Sequence, residues 1–353
     1  MPSTPAQLAL VAFELILVFA GGGLLLTLLF NPRQRQRWLD SSALGSWQIS
    51  ASEFMLLAAC VMLGAFFPQT VVQLLAKDWI ASASDKTGLE VAVYGGAFHG
   101  GMLLGCLVFL VLRNLTNSGH RHEMRLREGP SLSWPKVVRY ALGTLLIALP
   151  VVALLSLGWN YVLRTLSLPD APQDLIAIFA QTKSPVVIAG MLAVACILAP
   201  ITEELIFRRG IYRYLRQNHV ASVGFIAVVI SVQAMLLLQT AGEKFVAHQY
   251  HEGGLKVLGA LGVLLVALAV FWFGSRSPLV EREKRPLALV LSGLCFGILH
   301  GSWMGFLPLA ILGMILALAY EATGSIRVPI IVHALFNLNS VVIVLAGLAE
   351  IAS

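Results

Sequence analysis

Pro185-Val-Val-Ile-Ala-Gly-Met-Leu-Ala-Val-Ala-Cys-Ile-Leu-Ala-Pro-Ile-Thr-Glu-Glu-Leu-Ile-Phe207 is the stretch on which the reading of this chain turns. From Pro185 to Thr202 it contains no Asp, Glu, Lys, Arg or His. It reaches the roughly 20 apolar residues needed to cross a bilayer as a helix. It then closes on two adjacent glutamates at membrane depth, where a carboxylate is costly and marks function by default.

Nine similar blocks surround it: Leu8–Phe30, Phe54–Leu75, Val93–Leu112, Tyr140–Leu163, Val223–Thr240, Val257–Gly274, Pro286–Ser302, Gly305–Ala322 and Val328–Leu348. The chain of 353 residues is 58% hydrophobic and only 12% charged, with a mean hydropathy of +0.83. Soluble domains run at about 25% charged, so a water-soluble fold, disorder, coiled coil and collagen all fall away. The expected fold is all-α, a polytopic membrane helix bundle of about ten transmembrane helices. No Lys or Arg precedes the first block, and it is too long for a signal-peptide core.

The net charge of +6 is a topology signal. Connections after the odd-numbered blocks carry Arg33, Arg35 and Arg37; Arg113, Arg121, Arg125, Arg127, Lys136 and Arg139; Arg208, Arg209, Arg213 and Arg216; Arg276, Arg282, Lys284 and Arg285; and Arg327. The even-numbered connections hold few bases, balanced by acids as in Lys77/Asp78. Positive loops stay in the cytoplasm, which places both termini outside. The same alternation accounts for the basic excess without nucleic acid as a partner. Cys60, Cys106, Cys196 and Cys295 all sit inside apolar blocks and read as buried thiols.

Two connections carry further pattern. Asp174-Leu-Ile-Ala-Ile-Phe-Ala-Gln181 is expected to form an interfacial helix. Ala241–Lys256, with His248, His251 and Glu252, reads as a solvated loop rather than a metal cluster, because nothing completes a ligand set.

Polar residues inside the blocks are the functional candidates. On a helix, Glu204 and Arg208 lie within about 40° of each other and pair one turn apart, while Glu203 lies about 140° from Arg208, on the side of Ile206 and Phe207. One carboxylate is then held as an ion pair and its neighbour is left for proton transfer. Taken alone, the cluster is explained slightly better as a helix end with snorkelling charges. Phe296-Gly-Ile-Leu-His300 and His333-Ala-Leu-Phe-Asn337 add two histidines and an aligned asparagine at i and i+4. Lesser sites are Glu14, expected to snorkel outward; His99, expected as a packing contact among glycines; and Glu321, expected to pair with Arg327 or a basic loop.

Glu203-Glu204-x-x-x-Arg208, Phe296-x-x-x-His300 and His333-x-x-x-Asn337, in this order on late helices and joined by Tyr320-Glu-Ala-Thr-Gly-Ser325, resemble the CAAX-protease and bacteriocin-processing (CPBP, or Abi) family of intramembrane glutamic proteases. The similarity runs from about Tyr140 to Leu348. The resemblance implies an intramembrane endopeptidase, with Glu203 activating a water, His300 holding it, His333 and Asn337 donating to the oxyanion, and Glu204, Arg208 and Phe296 in support. It implies no metal. Zinc is the weaker alternative, since Glu plus two His suits it while the His-Glu-x-x-His of zincins is absent. Implied partners are the bilayer and a peptide or protein substrate, of CAAX type or another membrane-associated kind, lipidated or not. The implied location is a bacterial plasma membrane with the active-site cavity open to the cytoplasm.

The expected organisation is a three-helix N-terminal portion, 1–136, and a protease core, 137–353. Within the core, two apolar blocks separate the first two motifs, where relatives have none. They read as an inserted helical hairpin around 222–274. Glu203 reaches the depth of His300 only if helix five continues past Arg208 towards Arg216 or if the helices tilt, and the continuation is expected. A non-proteolytic scaffold or immunity protein of the same fold, and a proton-coupled transporter, are the rival classes. The first has no use for four costly polar groups, and the second predicts a repeat, of which the sequence carries only a faint similarity between the sixth and eighth blocks.

Overall fold

The structure, a computed structural model, describes residues 4–33, 36, 42–45, 49–116, 131–166, 174–276 and 281–347. The basic residues Arg35, Arg37, Arg121, Arg125 and Arg127 lie outside them, as does the last residue of the tenth block.

The described residues form helices and no strand: α1 (Pro5–Phe30), α2 (Ala51–Ala81), α3 (Lys86–Thr116), α4 (Trp134–Thr165), α5 (Asp174–Gln181), a long run α6 (Pro185–Gln217), α7 (His219–Val246), α8 (Tyr250–Arg276), α9 (Glu281–Leu299), α10 (Trp303–Thr323) and α11 (Arg327–Leu345). Eight of them are long and apolar enough to cross a membrane, all but α5, α7 and α9. The protein is a polytopic helical membrane bundle. Both remaining expected spans are helical, as α7 and α9, and α9 opens on Glu-Arg-Glu-Lys-Arg. Large apolar side chains face outward, as with Phe19 at 75% and Leu75 at 82% exposure. In water such surface would be a liability, whereas towards lipid it is the solvated face.

Helix starts follow local chemistry. Thr4 and Ser50 close capping boxes with Gln7 and Glu53, and Ser184 caps α6 ahead of Pro185. The expected interfacial helix is present as α5. The segment expected as a loop over Ala241–Lys256 is mostly helical: α7 runs to Val246, α8 begins at Tyr250, and the turn is only Ala247–Gln249, with His248 at φ 57°. Glu252 there pairs with Lys244 at 2.8 Å.

Two compact units divide the chain, Met1–Ile211 with Ser292–Ser353, and Tyr212–Leu291. The first has a core in which Val137, Ala141, Ala148 and Val152 of α4 meet Leu312, Leu316 and Ala319 of α10 and Val328 and Val332 of α11. A second cluster joins Phe179 of α5, Met191 and Ala195 of α6, and Val341 and Val344 of α11. In the second unit, α7 and α8 pair along their length.

Two glycines set how closely α9 approaches α10. A Cβ at Gly293 would overlap the carbonyl of Ala310, and one at Gly297 that of Phe306. Small residues four apart let membrane helices touch backbone to backbone. That contact fixes the end of α9, where His300 sits.

α6 departs from regular geometry twice. Val194–Leu198 and Leu205–Tyr212 are π-helical, flanking the α-helical turn Ala199–Glu204 that carries both glutamates. The run continues to Gln217, so Glu203 lies in its interior rather than at its end. A π-helical turn widens the backbone ladder and is frequent at functional sites.

Candidate active site

Glu204 is fully buried and answered from two sides. Arg208 Nε lies 2.9 Å from its Oε2, and His333 Nδ1 lies 2.9 Å from its Oε1. Arg208 also donates from Nη2 to the carbonyl of Gly313 at 3.1 Å, and its guanidinium stands 4.7 Å from the centroid of the Phe296 ring. A buried charge needs such a set of partners, because an unpaired one costs several kcal/mol. Phe296 further contacts the rings of Phe207, His300 and His333, filling the space between three helices.

Glu203 points the other way. Its carboxylate faces His300 Nε2 at 3.8 Å and His333 Nε2 at 3.9 Å, and Oε2 is buried with no hydrogen-bond partner. Both separations exceed hydrogen-bond length. The tautomers follow from the other ring atoms. His300 Nδ1 sits 2.6 Å from the carbonyl of Phe296, which only accepts, so Nδ1 carries the proton. His333 Nδ1 donates to the Glu204 carboxylate in the same way. In the neutral rings, both Nε2 atoms present lone pairs towards Glu203.

Asn337 Nδ2 donates to the carbonyl of Ala195 at 2.8 Å, within the first π-helical segment of α6. One amide hydrogen of Asn337 is left for another acceptor.

Glu203, His300, His333 and Asn337 line one cavity of about 720 Å³, within the range of ligand sites. Its walls are largely apolar, with Val152, Met191, Phe336 and Trp303 among them. Glu203, His300 and His333 are of the residue types that zinc takes as ligands. Among the described residues no group of three His, Cys, Asp or Glu side chains is close enough to hold one.

Three lesser sites differ from expectation or gain a partner. His99 is no mere packing contact: it lines the cavity, and its Nδ1 lies 3.0 Å from Thr202 Oγ1. No motif marks it, because its partner is 103 residues away. Glu14 does not simply snorkel: Asn339 Nδ2 donates to it at 3.2 Å, and Gln7 Nε2 donates to Ala346 O at 2.8 Å, so α1 grips the end of α11. Arg327 donates to Leu132 O at 2.7 Å and stacks on Trp134. The backbone carbonyl of Glu321 accepts from Ala43 N–H at 2.8 Å. Cys106 and Cys295 are buried, and all four cysteines are free.

A helical membrane protein with a largely apolar cavity, two paired and buried motif residues and a carboxylate faced by two imidazoles defines the class: an integral membrane protein with an enzyme-like site. The family described as type II CAAX prenyl endopeptidase, Rce1-like, matches residues 185–280 and 270–339. This is the family of peptidases that the motifs resemble, and the match holds Glu203, Glu204, Arg208, Phe296, His300, His333 and Asn337. It starts at Pro185, later than the Tyr140 at which the sequence resemblance began. No curated protein and no solved structure matches the chain.

Proposed function

We propose that this protein is an intramembrane glutamic endopeptidase, and that Glu203 activates the attacking water. The observation that carries this reading is the buried, unpartnered Oε2 of Glu203 facing two Nε2 atoms at 3.8 and 3.9 Å. A water between them can donate one hydrogen to Glu203 and one to an imidazole, which aims its oxygen lone pair at a peptide carbonyl. Glu203 takes one proton as the oxygen adds to the carbonyl carbon. The oxyanion is met by the remaining amide hydrogen of Asn337 and, when the His333 ring has taken up a proton from bulk water before the attack, by its Nε2–H, a cation that Glu204 stabilises while His300 Nε2 accepts from the attacking water. Collapse breaks the C–N bond, and the proton on Glu203 goes to the leaving amine.

The motif support is Glu204 and Arg208, which fix His333 in its tautomer, and Phe296, which packs against both imidazoles. No metal is assigned to the reaction; a Glu with two His is nevertheless a set that zinc accepts, so chelation is part of the test. The substrates are peptides at the membrane, of CAAX type or another membrane-associated kind, whose apolar part suits the cavity wall. The termini lie outside a bacterial plasma membrane and the cavity opens to the cytoplasm, in accord with the alternation of basic loops.

The experiment is comparative membrane proteomics of cells carrying Glu203→Gln against wild type. Accumulation of an uncut precursor supports the reading, and normal processing by Glu203→Gln overturns it. Processing that stops with a chelator and returns with zinc replaces the metal-free mechanism by the metal version.

A further inference from the structure

His99 lies on α3, before the segment that matches the peptidase family, yet it forms part of the cavity wall. Its partner determines its chemistry. Thr202 is fully buried, and its hydroxyl donates to the carbonyls of Leu198 at 2.9 Å and Ala199 at 3.1 Å. A hydroxyl has one proton. With that proton committed to the helix backbone, Thr202 Oγ1 can only accept from His99 Nδ1. The neutral ring therefore carries its proton on Nδ1 and keeps Nε2 as an acceptor on a side chain that lines the cavity, with no hydrogen bond to Nε2 among the described residues. His300 and His333 are held in the same tautomer by Phe296 O and Glu204.

The wall is consequently rich in acceptors. Besides the three Nε2 atoms and Glu203 Oε2, Asn160 Oδ1 on α4 is buried without a hydrogen-bond partner and lines the same cavity. Asn337, the amide donor identified above, has already given one hydrogen to Ala195 O. A peptide entering from water brings an N–H at every residue other than proline, and each is expensive to bury unpaired. An acceptor wall amid apolar surface meets that need. A histidine serving only to pack helices would have no reason to keep Nε2 open to the cavity.

We propose that His99 is a substrate-contacting residue: its Nε2 accepts a hydrogen bond from a peptide N–H of the bound chain, and Thr202 orients the ring for it. The proposal rests on the endopeptidase reading above. It assigns a binding role to the N-terminal helices, which otherwise stand outside the motif core.

The test uses the full chain in its own cells, with the precursor that accumulates in Glu203→Gln as the probe. His99→Ala and His99→Gln are compared with wild type for the ratio of uncut to cut precursor, and each purified protein is melted in nanodiscs. Loss of one neutral hydrogen bond to the substrate should raise the ratio roughly 2- to 10-fold in His99→Ala, while the lost bond to Thr202 lowers the melting point only modestly and leaves the protein fully folded at the assay temperature. Raising precursor expression should restore processing, because the defect is in binding, whereas Glu203→Gln stays blocked at any supply. His99→Gln, which keeps an acceptor, should fall between wild type and His99→Ala. Wild-type processing by His99→Ala, a defect that extra precursor does not relieve, or a defect that tracks loss of folded protein overturns the assignment to His99 alone. Absence of any precursor in Glu203→Gln overturns the endopeptidase reading, and this proposal with it.

Discussion

Nε of Arg208 stands 2.9 Å from Oε2 of Glu204, and neither side chain has any exposure. One turn of helix brings the two together, and burial makes each dependent on the other. Arg208→Met alone leaves a buried carboxylate without its cation, and should cost about 3–5 kcal/mol of stability. The double change Glu204→Leu with Arg208→Met should cost much less than the sum of the single ones. Denaturation of the purified variants in a double-mutant cycle measures this coupling.

Glu203 is only 15% exposed as a side chain, yet its Oε2 is paired with nothing. Glu203→Gln should fold as well as wild type, because no ion pair is broken. It should lower turnover by at least about 100-fold if the carboxylate moves the proton. Thermal melting and precursor processing, read on the same preparations, separate the two effects.

Asn337 anchors α11 to the widened turn of α6 through Ala195 O. Asn337→Ala removes that bond and should cost on the order of 1 kcal/mol in stability. Its effect on processing should be larger than stability accounts for, since the second amide hydrogen is lost as well. Asn337→Asp, which cannot donate when ionised, should process as poorly. The two variants, assayed side by side, check the donor role.

Gly297 lies where a Cβ would overlap the carbonyl of Phe306. Gly297→Val should therefore push α9 from α10, displace His300 and reduce both stability and processing. Gly143→Val, at an open position on α4, should change neither by much. Melting curves and processing of the two variants test whether close helix contact sets the position of His300.

Chelator treatment of wild-type membranes should leave processing intact under the metal-free mechanism. Full loss, reversed by zinc and not by magnesium, would instead assign Glu203, His300 and His333 as ligands. The readout is the cut-to-uncut ratio before and after metal return.

Much of this was local enough to read from residue order. Apolar blocks of bilayer length made the helices, and i, i+4 spacing put Glu204 beside Arg208. The depth mismatch between Glu203 and His300 called for continuation of helix five towards Arg216 or for tilted helices, and the helix runs on to Gln217. The turn at Ala247–Gln249 was missed because polar residues there read as loop, although they continue two helices. Glu14 was misjudged for the opposite reason: its partner Asn339 is 325 residues away.

By itself, then, the sequence determined the membrane bundle, the order of the motif helices and the pairing within one helix turn. Those depend on transfer of apolar segments into lipid and on helical period, both properties of short segments. Only the tertiary structure decided which atoms face the cavity. His99 meets Thr202 across 103 residues, His333 meets Glu204 across 129, and Asn337 meets Ala195 across 142. Each of those bonds selects a tautomer or an amide orientation, and each exists because a buried polar group must find a partner wherever packing brings one near.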